Sequence, residues 1–189
     1  MNYTVRAYTP ADETAWLRCR VLAFLTTAYF DDVLRAKPAT SAPGLDLVAV
    51  DEDDRVVGIM DTSVEGELAT IDTVAVHPDH QHRGIGRLLL DRTRAAARTA
   101  GAATLDAWTR DTPETLAWYR AVGFAESDHY LHVYANHYTA PGEPARAVET
   151  PRPGLRPIAL FLHARLADEE RLRAEFARVH VCRRFAMRP

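Results

Sequence analysis

Between residues 74 and 87 the chain passes from an apolar segment, through a polar loop, into the glycine-rich start of a helix. The loop and helix start read Gln81-His82-Arg83-Gly84-Ile85-Gly86-Arg87. The first N–H groups of a helix have no partner within it, and the helix dipole adds partial positive charge there. The two glycines let a bulky anion approach the main chain, and the two arginines add charge. This joint predicts a phosphate or diphosphate site.

Two common phosphate-binding motifs do not fit this spacing. A Walker loop needs a lysine that the segment lacks, and the dinucleotide fingerprint needs glycine where Leu89 stands. The pattern, preceded by a Val-x-Val-x-Pro strand end, instead resembles the acyl-CoA signature Arg/Gln-x-x-Gly-x-Gly/Ala of the GNAT family of N-acetyltransferases. An ordinary glycine turn into a helix remains the alternative interpretation.

A second segment resembles the later signature of the same family, in which a helix that carries a tyrosine ends at a Gly-Phe pair. It reads Leu116-Ala117-Trp118-Tyr119-Arg120-Ala121-Val122-Gly123-Phe124. Gly123 suits a left-handed C-cap, and Phe124 opens the next apolar run. Taken alone, Tyr119 would be interpreted as a packed amphipathic side chain. The resemblance implies a catalytic position for it.

The resemblance implies acetyl-CoA as co-substrate and direct acetyl transfer to an amine in a ternary complex. In the family the fourth strand splays from the fifth, which here would free the main chain of Val74, Ala75 and Val76 for the pantetheine arm, with the Val76 N–H near the thioester oxygen. The segment from Gln81 to Arg87 would hold the diphosphate. No cysteine stands where a covalent mechanism would need a nucleophile.

Acetyl transfer also needs a base for the amine and an acid for the departing thiolate. Asp72 is the nearest carboxylate upstream of the motif, and strand periodicity predicts that it shares a face with Val74 and Val76. Glu65, Glu67, an ordered water, or a purely structural role for Asp72 stay open. By resemblance, Tyr119 is the acid.

One position departs from the family pattern. Many members have asparagine seven residues before the tyrosine, where it contacts the cofactor or caps the helix, and this chain has Thr112 there. The histidine groups 77, 80, 82 and 129, 132, 137 lack the carboxylate or thiolate frame of a usual metal site. We therefore expect no metal.

The elements that must position these residues follow from periodicity and turn signals. We predict helices over 9–26, 28–36, 84–100 and 113–122, and strands over 46–51, 55–65, 68–76, 104–109, 124–127 and 129–138. A meander followed by a strand–helix–strand unit predicts an α/β (α+β mixed) fold, with a mostly antiparallel sheet flanked by helices. By resemblance, residues 26–44 shape the acceptor pocket.

Beyond residue 138 the resemblance stops. The prolines and glycines of residues 139–157 predict a linker without regular elements. The hydrophobic pattern of residues 158–189 predicts a small β-α-β appendage, with strands at 158–164 and 179–185 around a helix at 168–178. The predicted domains are therefore 1–138 for acetyl-CoA binding and catalysis, the linker, and a C-terminal extension that could pair two protomers as a homodimer.

Composition limits the function classes. The 189 residues carry a net charge of −3, and residues 1–138 contain 13 Lys+Arg against 20 Asp+Glu. This acidic balance argues against binding to nucleic acid or to anionic membranes, and it suits binding of a cationic acceptor. Two distant cysteines and the absence of an apolar leader predict a cytoplasmic protein. The sequence thus predicts an N-acetyltransferase for a small primary amine. A non-catalytic acyl-CoA-binding module and a protein or peptide N-acetyltransferase are the alternatives.

Overall fold

The computed structural model describes residues 2–148 and 153–189, which form two compact units. The first unit comprises residues 2–108, 112–125 and 185–189, and the second comprises residues 109–111 and the described part of 126–184. Residues 149–152 of the predicted linker lie outside the described residues. The predicted domain bounds stay a prediction.

Strand alternation and helix caps account for the elements of the first unit. Pro10–Asp12 form a 3-10 turn, in which Thr9 and Asp12 make a capping box, ahead of the first helix. The elements are strands β1 (Thr4–Ala7), β2 (Gly44–Val50), β3 (Val56–Glu65), β4 (Leu68–Val76) and β5 (Thr104–Arg110), and helices α1 (Glu13–Phe24), α2 (Ile85–Thr99) and α3 (Pro113–Ala121).

Strands β1 to β4 form an antiparallel meander, and β5 pairs parallel with β4. Helix α2 is the crossover between β4 and β5, as parallel pairing requires. Apolar side chains of α2 and α3 pack on one sheet face, including Ile85, Leu89 and Tyr119. On the opposite face, Trp16 of α1 packs against Val48 and Ile59. This mixed, mostly antiparallel sheet with flanking helices confirms the predicted fold class.

The second unit holds most of strands β6 (Ala125–Asn136) and β8 (Arg178–Met187), together with the short helix α4 (Glu143–Arg146), strand β7 (Ala159–Ala164) and helix α5 (Glu169–Glu175). Its strands lie in the order β8-β6-β7. The β7-α5-β8 succession confirms the predicted β-α-β order, but the two strands lie on either side of β6 rather than in an appendage of their own. Leu172 and Phe176 at α5 pack on Val133 and Val181 of the sheet.

Three sequence predictions differ from the structure. Residues 28–36 form turns rather than a helix, and 124–138 hold one continuous strand rather than two. Within the predicted linker, residues 143–146 form one helical turn, in which the buried Glu143 accepts a hydrogen bond from the Ala177 N–H. This side chain gives the turn a tertiary anchor that composition could not show. None of the helices in the described ranges is long and apolar enough to cross a bilayer.

Candidate active site

Strands β4 and β5 pair over a short distance and then part. Their parallel pairing begins at Leu68 with Thr104 and ends at Ile71 with Ala107, whereas β4 continues to Val76 along β3. Beyond Ile71, one edge of β4 therefore lies outside the β4–β5 pairing. This is the splay that the family resemblance implied.

The main-chain groups at the end of β4 can be assigned to an edge. The His77 N–H donates to the Val57 oxygen of β3 at 2.9 Å. Successive residues of a strand direct their N–H and C=O groups to alternate sides, so those of Val76 and Val74 point away from β3. The Gln81 side-chain amide donates to the Val76 oxygen at 3.2 Å. Val74 and Val76, rather than Ala75, thus present main-chain donors to the splay.

The loop after β4 folds into an anion-binding shape. His82 and Gly84 both have positive φ, of 60° and 82°, and Gly84 is the N-cap of α2. Such left-handed residues at a helix start direct consecutive N–H groups toward one concave point. A Cβ at Gly84 would meet no atom within 4 Å, so the space before this helix end is open.

Gly86 has a different reason to be glycine. A Cβ there would lie 3.3 Å from the Trp118 indole, so the missing side chain lets α2 approach α3. Arg83 and Arg87 are exposed beside the helix start. The Arg83 guanidinium donates to the Tyr3 hydroxyl at 3.3 Å, and that hydroxyl lies 3.2 Å from His80 Nδ1. Tyr3 and His80, which sequence reasoning missed, therefore hold the arginine near the loop.

Tyr119 is 3% exposed and sits among aromatic rings. Its ring stacks on Phe185, with centroids 5.1 Å apart, and meets Trp118 and Phe124 edge-on. Burial raises the pKa of the Tyr119 phenol, and electrostatic repulsion from Tyr29 and Asp106 adds to the rise. Tyr119 therefore keeps its proton at neutral pH, and the raised pKa makes it a weaker acid toward a leaving thiolate than an exposed tyrosine.

Asp72 is the extra residue of a β-bulge. Asp61 of β3 opposes Thr73, and the next residue, Thr62, opposes Ile71. The prediction that alternation places Asp72 on the face of Val74 and Val76 is wrong, because the extra residue shifts the phase of the strand. Val74 and Val76 pack on the α2 face with Ile71.

The carboxylate of Asp72 accepts a hydrogen bond from the Ser63 N–H at 3.1 Å. Partial burial raises its pKa, and the charges of Asp106 and Asp46 add to the rise. A raised pKa suits a base that must take a proton from an ammonium near neutral pH. Glu65 and Glu67 are exposed at the β3–β4 turn.

Thr112 is the N-cap of α3 but makes no side-chain cap. Its hydroxyl instead accepts a hydrogen bond from the Ala28 N–H at 3.4 Å. This contact links the start of α3 to the segment between α1 and β2. Within residues 2–148 and 153–189, no group of three or more His, Cys, Asp or Glu is arranged to hold a metal ion.

Sequence reasoning also missed a buried charge group on the α1 face. The ammonium of Lys37 lies 3.0 Å from Asp46 and 3.5 Å from Asp61. It also lies over the rings of Tyr8 and Trp16, at 4.9 and 5.5 Å from their centroids. The sequence offered one signal for this position, because Lys37 is the only lysine in the chain and every other strongly basic residue is arginine.

Comparison with known proteins agrees with this geometry. Residues 43–126 match the family model described as the acetyltransferase (GNAT) domain. Over 76 residues the chain is 37% identical to the ribosomal protein bS18-alanine N-acetyltransferase of Salmonella typhimurium, a match that covers 40% of this chain and 51% of that protein. The chain thus spans about half the length of this curated relative.

Two solved structures share the fold. The ribosomal-protein-S18-alanine N-acetyltransferase from Escherichia coli matches with a TM-score of 0.59 and 18% identity, over 99% of this chain and 94% of that one. A PaiA N-acetyltransferase from Thermoplasma acidophilum, in complex with coenzyme A, matches with a TM-score of 0.58 and 15% identity, over 68% of this chain and 92% of that one.

Proposed function

We propose that this chain, which carries a GNAT-family acetyltransferase domain, transfers the acetyl group of acetyl-CoA to an amine. The single observation that carries the proposal is the separation of β4 from β5 after Ile71, followed by the left-handed turn into α2 at Gly84. Together these features offer a strand edge to the pantetheine arm and a ring of N–H groups to the diphosphate.

The cofactor contacts in this proposal are mainly made by the main chain. The N–H groups of residues 82–87 hold the diphosphate, with charge from Arg83 and Arg87 and side-chain support from Gln81 and His82. Ile85 packs the helix start on the sheet. The main chain of Val74 and Val76 carries the pantetheine arm, whereas that of Ala75 between them faces β3. The Val76 N–H donates to the thioester oxygen as negative charge develops there. Thr112 borders the site at the start of α3.

The chemical step is direct attack of a neutral amine on the thioester carbon. Asp72 takes a proton from the ammonium, and the nitrogen lone pair forms the new C–N bond. The C–S bond then breaks, and the leaving thiolate takes the Tyr119 proton. The nitrogen loses its second proton, which restores the Tyr119 phenol. The products are an amide and free CoA. No metal takes part in this scheme.

The acceptor in this proposal is a small molecule with a primary amine, and the protein works without nucleic acid or a membrane surface. A protein or peptide acceptor is the second candidate, favoured by the printed name of the Salmonella relative and by three exposed apolar side chains on the segment between α1 and β2: Leu25, Phe30 and Val33. A non-catalytic acyl-CoA-binding role is the third. Pairing of protomers through residues 158–189 remains a prediction.

Two measurements test the proposal. Calorimetry with acetyl-CoA and CoA should show saturable binding, and release of free CoA thiol should depend on an amine drawn from a panel of small amines and peptides with N-terminal alanine. Turnover with peptides alone would replace the small-molecule acceptor with the second candidate. Binding without turnover on either group would leave the non-catalytic module, and absence of cofactor binding by the folded protein would refute all three.

A further inference from the structure

Tyr3 and His80 lie on ordered elements beside the start of α2. Tyr3 directly precedes β1, and its ring packs against the core cluster that contains Ile85, the first residue of α2. His80 ends a 3-10 turn, and its N–H donates to the His77 oxygen at 2.9 Å. Strand pairing and the turn thus fix both residues independently of the loop that follows.

The Tyr3 hydroxyl connects the His80 imidazole with the Arg83 guanidinium. Its oxygen accepts a hydrogen bond from the guanidinium at 3.3 Å and lies 3.2 Å from His80 Nδ1. Because the oxygen accepts from Arg83, its own proton can go to His80 Nδ1 in the tautomer that carries the ring proton on Nε2. The two rings also meet edge-on, with centroids 5.9 Å apart. These contacts fix the position at which the hydroxyl meets Arg83.

Arg83 lies in the loop itself. Its side chain is exposed, and it stands between His82 and Gly84, which both have positive φ. An exposed arginine side chain samples many rotamers, and ordering it when a ligand binds costs binding free energy. The bond to Tyr3 restricts the side chain before any ligand arrives.

The contact with Tyr3 orders Arg83 without neutralising it. A phenol is uncharged, so a hydrogen bond to it leaves the guanidinium charge intact, whereas a carboxylate partner would offset that charge. The guanidinium has five N–H donors, and the bond to Tyr3 uses one of them. An arginine held in this way still attracts an anion at the helix start.

We propose that Tyr3 is a positioning residue for the cofactor, because it holds Arg83 at the diphosphate site. The inference rests on the proposed acetyl transfer and adds a determinant of cofactor choice. Tyr3 should increase the preference for a thioester that carries phosphate groups over one that lacks them, such as S-acetylpantetheine. Tyr3 lies outside residues 43–126, which match the family model, so the matched motif does not include this contact.

The test is a double-mutant cycle in which calorimetry measures the Kd for CoA. Tyr3→Phe removes only the hydroxyl and should raise Kd roughly three- to tenfold, because Arg83 must then be ordered as CoA binds. Arg83→Gln should raise Kd by at least as much. When Arg83→Gln is already present, Tyr3→Phe should change Kd by less than about twofold.

Two controls separate this role from a general loosening of the loop. The Tyr3 hydroxyl bonds Arg83 rather than Arg87, so Tyr3→Phe should keep its full effect on Kd in an Arg87→Gln background. Tyr138 is 84% exposed, and Tyr138→Phe should leave the Kd for CoA unchanged.

Turnover with an amine that supports the reaction gives a second readout. Tyr3→Phe should raise KM for acetyl-CoA and change kcat by less than about twofold, and the fall in kcat/KM should be confined to acetyl-CoA, since S-acetylpantetheine has no phosphate.

Three results would overturn the positioning role and leave the acetyl transfer standing. They are an unchanged Kd in Tyr3→Phe, an equal effect of Tyr3→Phe with and without Arg83, and an equal fall in kcat/KM for both thioesters. Failure of the wild-type protein to bind CoA would instead remove the proposed function itself.

Discussion

Replacing Asp61 with asparagine should remove a pH dependence of stability that the native protein carries. Burial raises the pKa of Asp61 to about 7, with Lys37 opposing the rise and Asp46 adding to it. The ordinary value is 3.8. Between these pH values the folded chain keeps a proton that the unfolded chain has lost, so the free energy of unfolding falls as pH rises.

The magnitude follows from the two pKa values. A change of one in pKa corresponds to about 1.4 kcal/mol, so the full effect of Asp61 is on the order of 4 kcal/mol between pH 4 and pH 8. Asparagine cannot titrate but has nearly the shape of the protonated aspartate. Relative to the wild type, Asp61→Asn should therefore become more stable by up to this amount as pH rises.

Urea unfolding followed by circular dichroism, at intervals from pH 4 to pH 8, measures the difference between the two proteins. Other titrating groups are common to both and cancel in the difference. Asp53→Asn serves as the exposed control and should differ from wild type by less than about 0.5 kcal/mol throughout. A wild-type-minus-variant difference that stays constant, or that grows in favour of the wild type as pH rises, would refute the assignment of a raised pKa to Asp61.

Three further outcomes are expected. Gly84→Ala and Gly66→Ala both place a Cβ at positive φ in open space, so each should lower the free energy of unfolding by about 1 kcal/mol. Only the change at Gly84 should weaken CoA binding in calorimetry, by roughly tenfold. Equal Kd values for the two variants would argue against the diphosphate site. Tyr119→Phe should lower kcat by a factor of about 10²–10⁴. Because burial raises the Tyr119 pKa, the wild-type kcat should not fall through ionisation of this phenol up to about pH 10. Full activity of the variant would exclude Tyr119 as the general acid. Cys19 and Cys182 are buried, and burial raises the pKa of both thiols, to about 12 for Cys19. Ellman's reagent should therefore react with them only after the protein unfolds. Rapid labelling of the native protein would contradict this burial.

Much of the cofactor-side architecture could be predicted from sequence because it depends on local patterns. Alternation identified β4 at Leu68–Val76, and the apolar stripe of α2 and the glycine pair identified its start. The splay was implied by resemblance, and the pairing of β4 with β5 bears it out.

Features that depend on distant contacts could not be predicted. The segment 28–36 has helical composition, yet the Thr27 hydroxyl bonds the Phe24 oxygen and accepts from the Tyr29 N–H. Farther along, the Asp32 oxygen accepts a hydrogen bond from Arg20 on α1. These side-chain bonds compete with the helical pattern. The buried charge group around Lys37 likewise joins residues from a loop, a helix and two strands.

The phase change at Asp72 had no sequence signal either, because a bulge inserts one residue without altering composition. Periodicity assumed a regular strand and therefore assigned Asp72 to the wrong face. Register with β3 determines the faces, and register is a property of the pair rather than of either strand alone.

The same bulge bears on any attempt to transplant this strand into another scaffold. Keeping residue 72 but pairing it in a regular strand without the bulge would leave the sequence unchanged, yet it would rotate everything downstream by half a turn about the strand axis. Val74 and Val76 would then exchange faces with Ala75, and the donors at the splay would turn toward β3. A transplanted strand must therefore keep the bulge as well as the sequence, since a regular strand would direct the amide groups of Val74 and Val76 toward β3.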